Sequence, residues 1–419
     1  MINKTEKLLA QLVKLHPKYI DLSLNRLKIL LKKLGNPHLN LPTTIHIAGT
    51  NGKGSTLSFL QNILKNNKYT CHAYISPHLN RFNERIIINN KEINTNKLHN
   101  TLKLIKKINK NKPITFFEIT TAAAFLLFSK NKADFLLLET GLGGRLDATN
   151  VITKKELSII TSISIDHQEF LGKTLKKITK EKLGITNYSN NILIAKQKSE
   201  VNKIIYSKLK KNNNVFYFKK HFNFYEKQSS KFLFRYKNKK FNIDKPRLLG
   251  NHQLENASTA LASAMILQSN GFKINEKKFN KSIKTTIWPG RLEFVNLNNK
   301  KIILDGSHNI GGAEKLKLFL KEKKIKPIVL FGMLNNKPIY EFLKTISNNV
   351  SKIVAVRIPK EKNAFTVEEI NNYCKKISLE CVNKKGINDA LYYIFHSNKK
   401  NVLITGSLYL VGKVREKIL

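Results

Sequence analysis

A glycine-rich run with one lysine is the part of this sequence best suited to phosphate chemistry. Residues 49–55 read GTNGKGS, and Thr56 follows. Backbone N–H groups of such a turn at a helix N-terminus bind phosphate oxygens, a lysine neutralises the β- and γ-phosphates, and a hydroxyl can hold Mg²⁺. The glycine spacing is shorter than in the general P-loop pattern, and Gly54 separates Lys53 from Ser55. Because a strand-like stretch precedes the run and helical spacing follows it, we predict a nucleotide-phosphate site rather than an ordinary turn.

An acidic residue at the end of an apolar run is the best candidate metal ligand. Residues 133–139 read ADFLLLE, which is typical of a central parallel strand whose carboxyl end faces a ligand. Mg²⁺ prefers hard oxygen ligands, so Glu139 suits it. The glycines and Arg145 of residues 140–150, TGLGGRLDATN, follow directly, and such backbone often marks the approach of a ligand. The alternative is a solvated carboxylate at a strand end, and we favour the metal site.

Three further side chains are ambiguous on spacing alone. His167 follows Asp166 after another apolar run, 157–164, and a neutral imidazole there could complete a second metal site, although a lone histidine is more often structural. Composition does not distinguish Lys182, in KITKEKLGI, from the many other lysines. Glu118, in TFFEITT, is explained as well by a favourable charge at a helix start.

Polar groups concentrate in three short segments of the second half. These are HQLENA from His252, WPGRLE from Trp288 and DGSHN from Asp305. Arg291 and His308 could meet phosphate charge, and Asp305 follows a strand-like run. Turn and capping chemistry explains each segment equally well, so none of them defines a site by itself.

Strand-like and helix-like stretches alternate along the chain, which predicts an α/β fold with a doubly wound, mostly parallel sheet. The predicted strands are 44–48, 133–139, 157–164, 215–218, 232–236, 301–304, 328–332, 353–356 and 401–405, and the predicted helices are 56–65, 116–128, 252–268, 314–322 and 367–375. Short aromatic-rich strands between about 191 and 243 predict an antiparallel edge of the first domain. The chain breaks at Trp288-Pro289-Gly290, after which the alternation resumes. We therefore expect two domains, residues 1–287 and residues 288–419.

The charge composition raises nucleic acid as a partner. The chain has 75 Lys and Arg against 28 Asp and Glu, a formal charge of +47. The lysines are spread over almost every predicted surface segment, with abundant Asn and Ile, rather than gathered in one stripe with interleaved aromatics. We attribute them to a compositional bias toward AT-rich codons and expect no nucleic-acid partner.

The cysteines and the apolar runs of the sequence indicate the cellular compartment of the protein. The three cysteines, Cys71, Cys374 and Cys381, have no CxxC or Cys/His spacing, which predicts free thiols in a reducing compartment. The leucines of residues 1–33 have amphipathic helical spacing, and no run reaches the roughly 18 apolar residues that a membrane span needs. We expect a cytoplasmic protein with no membrane partner.

Taken together and in order, these segments resemble the Mur ligase superfamily, and specifically its folylpolyglutamate synthase and dihydrofolate synthase branch. The matching motifs are GTNGKGS at 49, SPHLNRFNERI at 76, TFFE at 115, LETGLGGRLDATN at 138, SIDHQEFLG at 164, EKLGI at 181, GNHQLENA at 250, WPGRLE at 288, DGSHN at 305, FGM at 331 and GSLYLVG at 406. The second and fourth of these resemble the folate branch more than the peptidoglycan ligases. Ser307 and Leu183 stand where the family usually has alanine, and neither change removes a reacting group.

The resemblance implies a P-loop-type Mur ligase central domain that binds ATP and a smaller Rossmann-like C-terminal domain. It implies two Mg²⁺ sites, with Ser55 and Glu139 at one and His167 at the other, and it implies that Lys182 is carboxylated to a carbamate. The catalytic set that it implies is Lys53, Glu139, His167 and Lys182. The residues that it implies in nucleotide binding are Asn51, Gly52, Lys53, Gly54, Ser55, Thr56, Asn256, Arg291, Asp305 and His308.

The resulting hypothesis is an ATP-dependent ligase that acts as a monomer on small molecules. A substrate carboxylate would attack the γ-phosphate of ATP to give an acyl phosphate, from which the amine of L-glutamate would displace phosphate. The acceptor would be dihydropteroate, a folate, or both. Two alternatives stay open: a peptidoglycan-type Mur ligase, and a nucleic-acid-binding P-loop ATPase, which would explain the charge of +47 but not the motifs in 139–150 and 288–309.

Overall fold

The chain folds into two compact units, one comprising residues 1–246 and 254–286 and the other residues 247–253 and 287–419. The computed structural model describes residues 4–18, 20–212, 214–226 and 230–419. The predicted functional domains, 1–287 and 288–419, remain a proposal.

An eight-stranded sheet forms the centre of the first unit. Its strands are β1 (Thr43–Ala48), β2 (Cys71–Tyr74), β3 (Ile86–Ile88), β4 (Lys91–Glu92), β5 (Phe135–Glu139), β6 (Lys155–Ile160), β7 (Ser189–Ile194) and β8 (Val215–Tyr217). Their order is β4-β3-β2-β5-β1-β6-β7-β8, and all neighbours are parallel except the pairs that β3 forms with β2 and β4. The predicted α/β fold with a mostly parallel sheet is confirmed.

The central strands explain where polar side chains gather. Every residue of β5 is buried, as expected for a strand covered on both faces by helices. The register pairs Ile47 of β1 with Glu139 of β5. Because parallel strands end at the same edge of a sheet, Glu139 lies beside the loop that follows β1.

The helices of this part of the chain are α1 (Lys4–Val13), α2 (Asn25–Lys33), α3 (Lys53–Asn66), α4 (Thr95–Asn109), α5 (Phe116–Ser129), α6 (Gln168–Leu171), α7 (Leu175–Leu183), α8 (Ser199–Leu209), α9 (Asn251–Ser269) and α10 (Phe279–Thr285). The predicted amphipathic segment 1–33 contains α1 and α2, and residues 1–3 lie outside the described residues. Glu118 closes a capping box with Thr115 at the start of α5 and forms an ion pair with Arg26 at 3.1 Å. The structure therefore gives Glu118 a structural role.

No helix in the described ranges is long and apolar enough to cross a membrane.

The prediction of an antiparallel edge between 191 and 243 was wrong in part. β7 and β8 extend the parallel sheet, because α8 between them provides the crossover that parallel strands require. Only β9 (Phe222–Glu226), β10 (Lys231–Tyr236) and β11 (Lys239–Asp244) are antiparallel, and they form a separate three-stranded sheet. The strand predicted at 157–164 ends at Ile160, because the chain then turns alongside the loop after β1, where the N–H of Thr50 donates to the carbonyl of Ser162 at 2.9 Å.

The second unit has a six-stranded sheet in the order β12-β13-β17-β14-β15-β16, in which only the β12–β13 pair is antiparallel. The strands are β12 (Glu293–Leu297), β13 (Lys300–Leu304), β14 (Ile328–Phe331), β15 (Lys352–Ala355), β16 (Cys381–Asn383) and β17 (Asn401–Thr405). Its helices are α11 (Ile310–Glu322), α12 (Ile339–Ile346), α13 (Val367–Lys375), α14 (Ile387–Phe395) and α15 (Leu408–Ile418). One core cluster joins this sheet to its helices and includes Phe319, Phe331 and Phe342.

Candidate active site

The loop between β1 and α3 has the form of a phosphate-binding turn. Gly52 precedes α3 with a φ of +90°, and Gly49 has a φ of +154°. A Cβ on Gly49 would meet the Thr161 hydroxyl, and one on Gly52 would lie 2.4 Å from the Asn256 amide oxygen. Both positions therefore require glycine, and Gly54 lies in the first turn of α3, whose N–H groups have no partner within the helix.

The same loop is tied to the segment after β6. The N–H groups of Thr50 and Asn51 donate to the carbonyl of Ser162 at 2.9 and 3.2 Å, and the hydroxyl of Thr50 donates to the carbonyl of Ser164 at 3.0 Å. These bonds hold the peptide groups of the loop in place before any ligand binds. Such preorganisation is what an anion site at a helix N-terminus needs.

Lys53 and Glu139 face each other at this loop. The ammonium of Lys53 donates to the carbonyls of Gly49 and Thr50 at 3.2 and 3.4 Å and lies 4.0 Å from Oε1 of Glu139. Glu139 is only 5% exposed, and its Oε2 accepts a bond from the N–H of Ser76 at 3.2 Å. The structure thus brings together two of the predicted catalytic residues.

Buried oxygen donors at Ser76, beside Glu139, and in the first turn of α3 suit a hard divalent cation. The hydroxyls of Ser76 and Thr56 are buried with no hydrogen-bond partner among the described residues, and Ser55, next to Thr56 in sequence, is also buried. Carboxylate and hydroxyl oxygens are suitable Mg²⁺ ligands when water or phosphate completes the shell. Sequence reasoning did not select Ser76, although its SPHL motif was noticed; the contact between its N–H and Glu139 identifies it.

His167 lies near the same edge of the sheet, but without a ready set of metal ligands. Its backbone is left-handed, with a φ of 50°, and its Nε2 is 3.8 Å from Oδ1 of Asp166. In the described part of the chain, no three His, Cys, Asp or Glu side chains are grouped closely enough to hold one metal ion. The role of His167 at a second metal site stays a prediction.

Lys182 reaches the phosphate loop from α7. The residue is 5% exposed, and its ammonium donates to the carbonyl of Gly49 at 2.9 Å. Burial, and then the positive charge of Lys53, lower the pKa of Lys182 to about 7, while Asp166 and Asp147 act in the opposite direction. Lys182 is therefore poised to lose its proton near neutral pH, unlike an ordinary lysine.

The glycine-rich loop after β5 packs on the end of α7. The N–H of Arg145 donates to the carbonyl of Glu181 at 2.7 Å, and its guanidinium donates to Oε1 of Glu181 at 3.0 and 2.9 Å. A Cβ on Gly144 would lie 2.8 Å from that carbonyl, and one on Gly184 would lie 2.4 Å from the Cα of Arg145. These glycines let two protein segments approach each other closely.

Asn256 lies against the phosphate loop within the first unit. It is 7% exposed, and its amide oxygen faces the α-carbon of Gly52 closely enough to exclude a Cβ there. The structure thus brings this predicted nucleotide-binding residue to the loop.

The other three predicted nucleotide-binding residues occupy neighbouring turns of the second unit. Asp305 is buried, and its two carboxylate oxygens accept bonds from the N–H groups of Ser307 and Leu292, both at 3.1 Å. Nδ1 of His308 lies 2.8 Å from the carbonyl of Gly306, so Nδ1 carries the proton. Arg291 is next to Leu292 in the turn that Asp305 anchors. The structure shows a turn-forming role for Asp305, and the nucleotide contacts of these residues remain predictions.

Comparison with known proteins agrees with this geometry. The family model of the Mur ligase middle domain matches residues 47–264, and that of the dihydrofolate synthetase C-terminal domain matches residues 291–417. The dihydrofolate synthase/folylpolyglutamate synthase of Bacillus subtilis is 32% identical, with 94% of each chain covered. Among solved structures, E. coli FolC in complex with DHPP and ADP has a TM-score of 0.88 at 27% identity, covering 99% of this chain and 97% of that one.

A second solved structure was determined with a metal. The bifunctional folylpolyglutamate synthase/dihydrofolate synthase of Yersinia pestis, complexed with AMPPNP and Mn ion, has a TM-score of 0.85 at 25% identity, covering 99% of this chain and 98% of that one. Matches of this extent cover both units of the fold. This chain belongs to the dihydrofolate synthase/folylpolyglutamate synthase family of Mur ligases.

Proposed function

We propose that this chain is an ATP-dependent ligase that joins L-glutamate to dihydropteroate, to folates carrying glutamate, or to both. The observation that carries the proposal is the cluster at the Gly49 carbonyl, which accepts bonds from both Lys53 and Lys182 beside the buried carboxylate of Glu139. The ammonium of Lys53 on a preformed glycine turn suits a polyphosphate. The names of the relatives supply the acceptors, and they favour neither the peptidoglycan-type ligase nor the nucleic-acid-binding ATPase.

The reaction balances as two displacements. A carboxylate oxygen of the acceptor bonds to the γ-phosphorus of ATP while the bond from that phosphorus to the β–γ bridging oxygen breaks, which releases ADP. The amine of glutamate then bonds to the acyl carbon, inorganic phosphate leaves and the amine loses a proton. Lys53 and the first N–H groups of α3 would stabilise the negative charge on the transferring phosphoryl group.

The donor set around Glu139 suits Mg²⁺. Ser55 and Glu139 would hold one ion, and His167 would belong to a second site. A bound Mg²⁺ would supply charge neutralisation at the phosphate oxygens. The chain itself supplies the carboxylate of Glu139, which is held in position because it accepts a hydrogen bond from the N–H of Ser76.

Lys182 is suited to carboxylation. Its neutral amine would attack CO₂, forming a C–N bond and releasing one proton, so that a cation becomes a carbamate anion. A pKa of about 7 leaves a large fraction of the amine neutral at neutral pH, as this step requires. The buried, uncharged acceptor at Gly49 would hold the nitrogen in place.

The proposal places the enzyme in the cytoplasm as a monomer with small-molecule substrates and no nucleic-acid or membrane partner. Light scattering on the purified chain tests the monomer: a mass of twice 48.1 kDa would contradict it.

The central experiment measures ADP release with ATP, Mg²⁺, L-glutamate and either dihydropteroate or tetrahydrofolate. We expect release to require glutamate and an acceptor, and Lys53→Ala to abolish it. Lys65→Ala is the matched control, because Lys65 lies exposed in the last turn of the same helix. Wild-type rates in Lys53→Ala, or equal rates with a UDP-muramoyl acceptor, would refute the assignment.

A further inference from the structure

A second buried lysine, Lys155, binds the chain just after the helix that carries Lys182. Lys155 is the first residue of β6 and is 1% exposed. Its ammonium donates to Oδ1 of Asn150 and to the carbonyls of Ile185 and Asn187, each at 2.9 Å. Within the described ranges, no carboxylate lies within 4.0 Å of it, so a buried cation is held by uncharged oxygens alone.

Two of the three acceptors of Lys155, the carbonyls of Ile185 and Asn187, lie just beyond α7. Helix ends leave carbonyl groups without partners, and a cation there also complements the helix dipole. Ile185 receives a second bond, from the hydroxyl of Ser158 at 2.9 Å. Asn150, held by Lys155, donates in turn to the carbonyl of Gly184 at 3.2 Å. Lys155 is thus the centre of a polar clasp on the C-terminal end of this helix.

The same helix end carries Lys182. Ile185 follows Lys182 by three positions, so the clasp lies within one turn of it. At the other end of its side chain, Lys182 donates to the phosphate loop at Gly49. A shift of the helix end would therefore move the Lys182 ammonium relative to that carbonyl.

We propose that Lys155 is a positioning residue for the ligase reaction: by holding the carbonyls of Ile185 and Asn187, it fixes the end of α7 and aims Lys182 at the phosphate loop. This inference rests on the proposed function of Lys182. Lys155 does not touch the substrate. Its expected effect is on turnover rather than on nucleotide affinity, because the loop is held separately. The carbonyl of Ser162 accepts from the N–H groups of Thr50 and Asn51, and the carbonyl of Ser164 accepts from the hydroxyl of Thr50.

The test replaces Lys155 with methionine, which keeps the apolar stem and removes the donor. Lys300 provides a matched control: it is also buried at the first residue of a strand, and its ammonium also binds only carbonyls, those of Ser397 and Lys399. We expect Lys155→Met to lower kcat for ADP release about tenfold or more, with KM for ATP little changed. Lys300→Met should lower Tm but leave kcat near that of the wild type, with both assays run well below either Tm.

A readout that needs no ligase activity follows the position of Lys182 itself. Cyanate adds to neutral amines, and mass spectrometry of the peptide that contains Lys182 gives the rate of its modification. Opening of the helix end should raise that rate about threefold or more in Lys155→Met and leave it unchanged in Lys300→Met. If the wild type lacks glutamate-dependent ADP release, the proposed function fails while this labelling still decides the role of Lys155.

Ser158→Ala keeps the inference testable if Lys155→Met does not fold. It removes one neutral bond to the same Ile185 carbonyl, so we expect a smaller change, about two- to tenfold in kcat, in the same direction. Equal loss of activity in the Lys155 and Lys300 variants, or unchanged kcat and cyanate labelling in both Lys155→Met and Ser158→Ala, would overturn the proposal.

Discussion

Replacing Gly52 by alanine tests why the phosphate loop needs glycine at this position. The reason is either the left-handed backbone conformation of Gly52 or the close contact with the side chain of Asn256. Gly52 has a φ of +90°, and a Cβ there would lie 2.4 Å from the amide oxygen of Asn256. Gly271 has almost the same φ, +93°, and a Cβ on it would have no neighbour within 4 Å. Gly271→Ala therefore isolates the backbone cost, which is about 1–2 kcal/mol for a left-handed residue.

The steric contact adds to that cost in Gly52→Ala. Asn256 is buried on α9, so its side chain has little room to withdraw, and overpacking of this kind costs about 1–3 kcal/mol. The sum is about 2–5 kcal/mol of unfolding free energy, against about 1–2 for Gly271→Ala. A loop displaced by about 1 Å would also lose about a hundredfold in rate.

Urea unfolding followed by circular dichroism and ADP release measure the two effects. The double variant Gly52→Ala, Asn256→Ala relieves the contact, keeps the backbone strain and loses a buried amide, so it should recover part of the stability that Gly52→Ala loses. The reasoning is refuted if Gly52→Ala unfolds at the same urea concentration as Gly271→Ala and keeps its activity.

Three other predictions concern the charged groups around this loop. Carboxylation of Lys182 needs its neutral amine, so bicarbonate-dependent activity should rise as the pH increases through about 7. Lys182→Arg stays cationic and should show no bicarbonate dependence. Wild-type activity that does not respond to bicarbonate would contradict this. Glu139→Gln keeps an acceptor for the N–H of Ser76 but loses the negative charge, so the Mg²⁺ concentration for half-maximal rate should rise about 10- to 100-fold. An unchanged Mg²⁺ dependence would show that Glu139 is not a metal ligand. Asp147→Asn keeps one oxygen for the N–H and hydroxyl of Thr149 but sets its NH₂ against the N–H of Leu142, which loses its acceptor. It should cost about 1–3 kcal/mol of unfolding free energy in urea titrations, and a variant as stable as the wild type would show that the second oxygen of this buried carboxylate is not needed.

Strands and helices that have a clear local sequence pattern, such as an apolar run or a glycine-rich turn, were predictable from the sequence. The apolar run that ends at Glu139 predicted a strand end, which lies where it was expected. The glycine turn predicted a helix after it, and that helix starts at Lys53 rather than at Thr56. Their proximity also followed, since parallel strands end at one edge of a sheet. The antiparallel assignment for 191–243 failed because short strands give the same alternating pattern whichever partner they pair with.

Contacts made across the fold could not be read from composition. Lys155 and Lys182 look like any of the other lysines in the sequence, and only burial against carbonyl groups of distant segments distinguishes them. Ser76 lay within a recognised motif, but its relation to Glu139 depends on the pairing of β2 with β5. Side chains gain such roles through tertiary neighbours, which a single sequence does not specify.

The glycines of the loop after β5 are visible as a local sequence pattern and also make contacts with a distant segment. Their density predicted the approach of a ligand, which stays a prediction, and the structure shows that Gly144 approaches the carbonyls of Glu181 and Lys182. That approach seats the loop on the end of α7, where Asn150 and Lys155 complete the clasp. A side chain at Gly144 would push the helix end away, and with it the ammonium that reaches the phosphate loop. If Lys182 takes part in the reaction as proposed, the glycines of this motif would affect the chemistry through the position of a lysine on another helix.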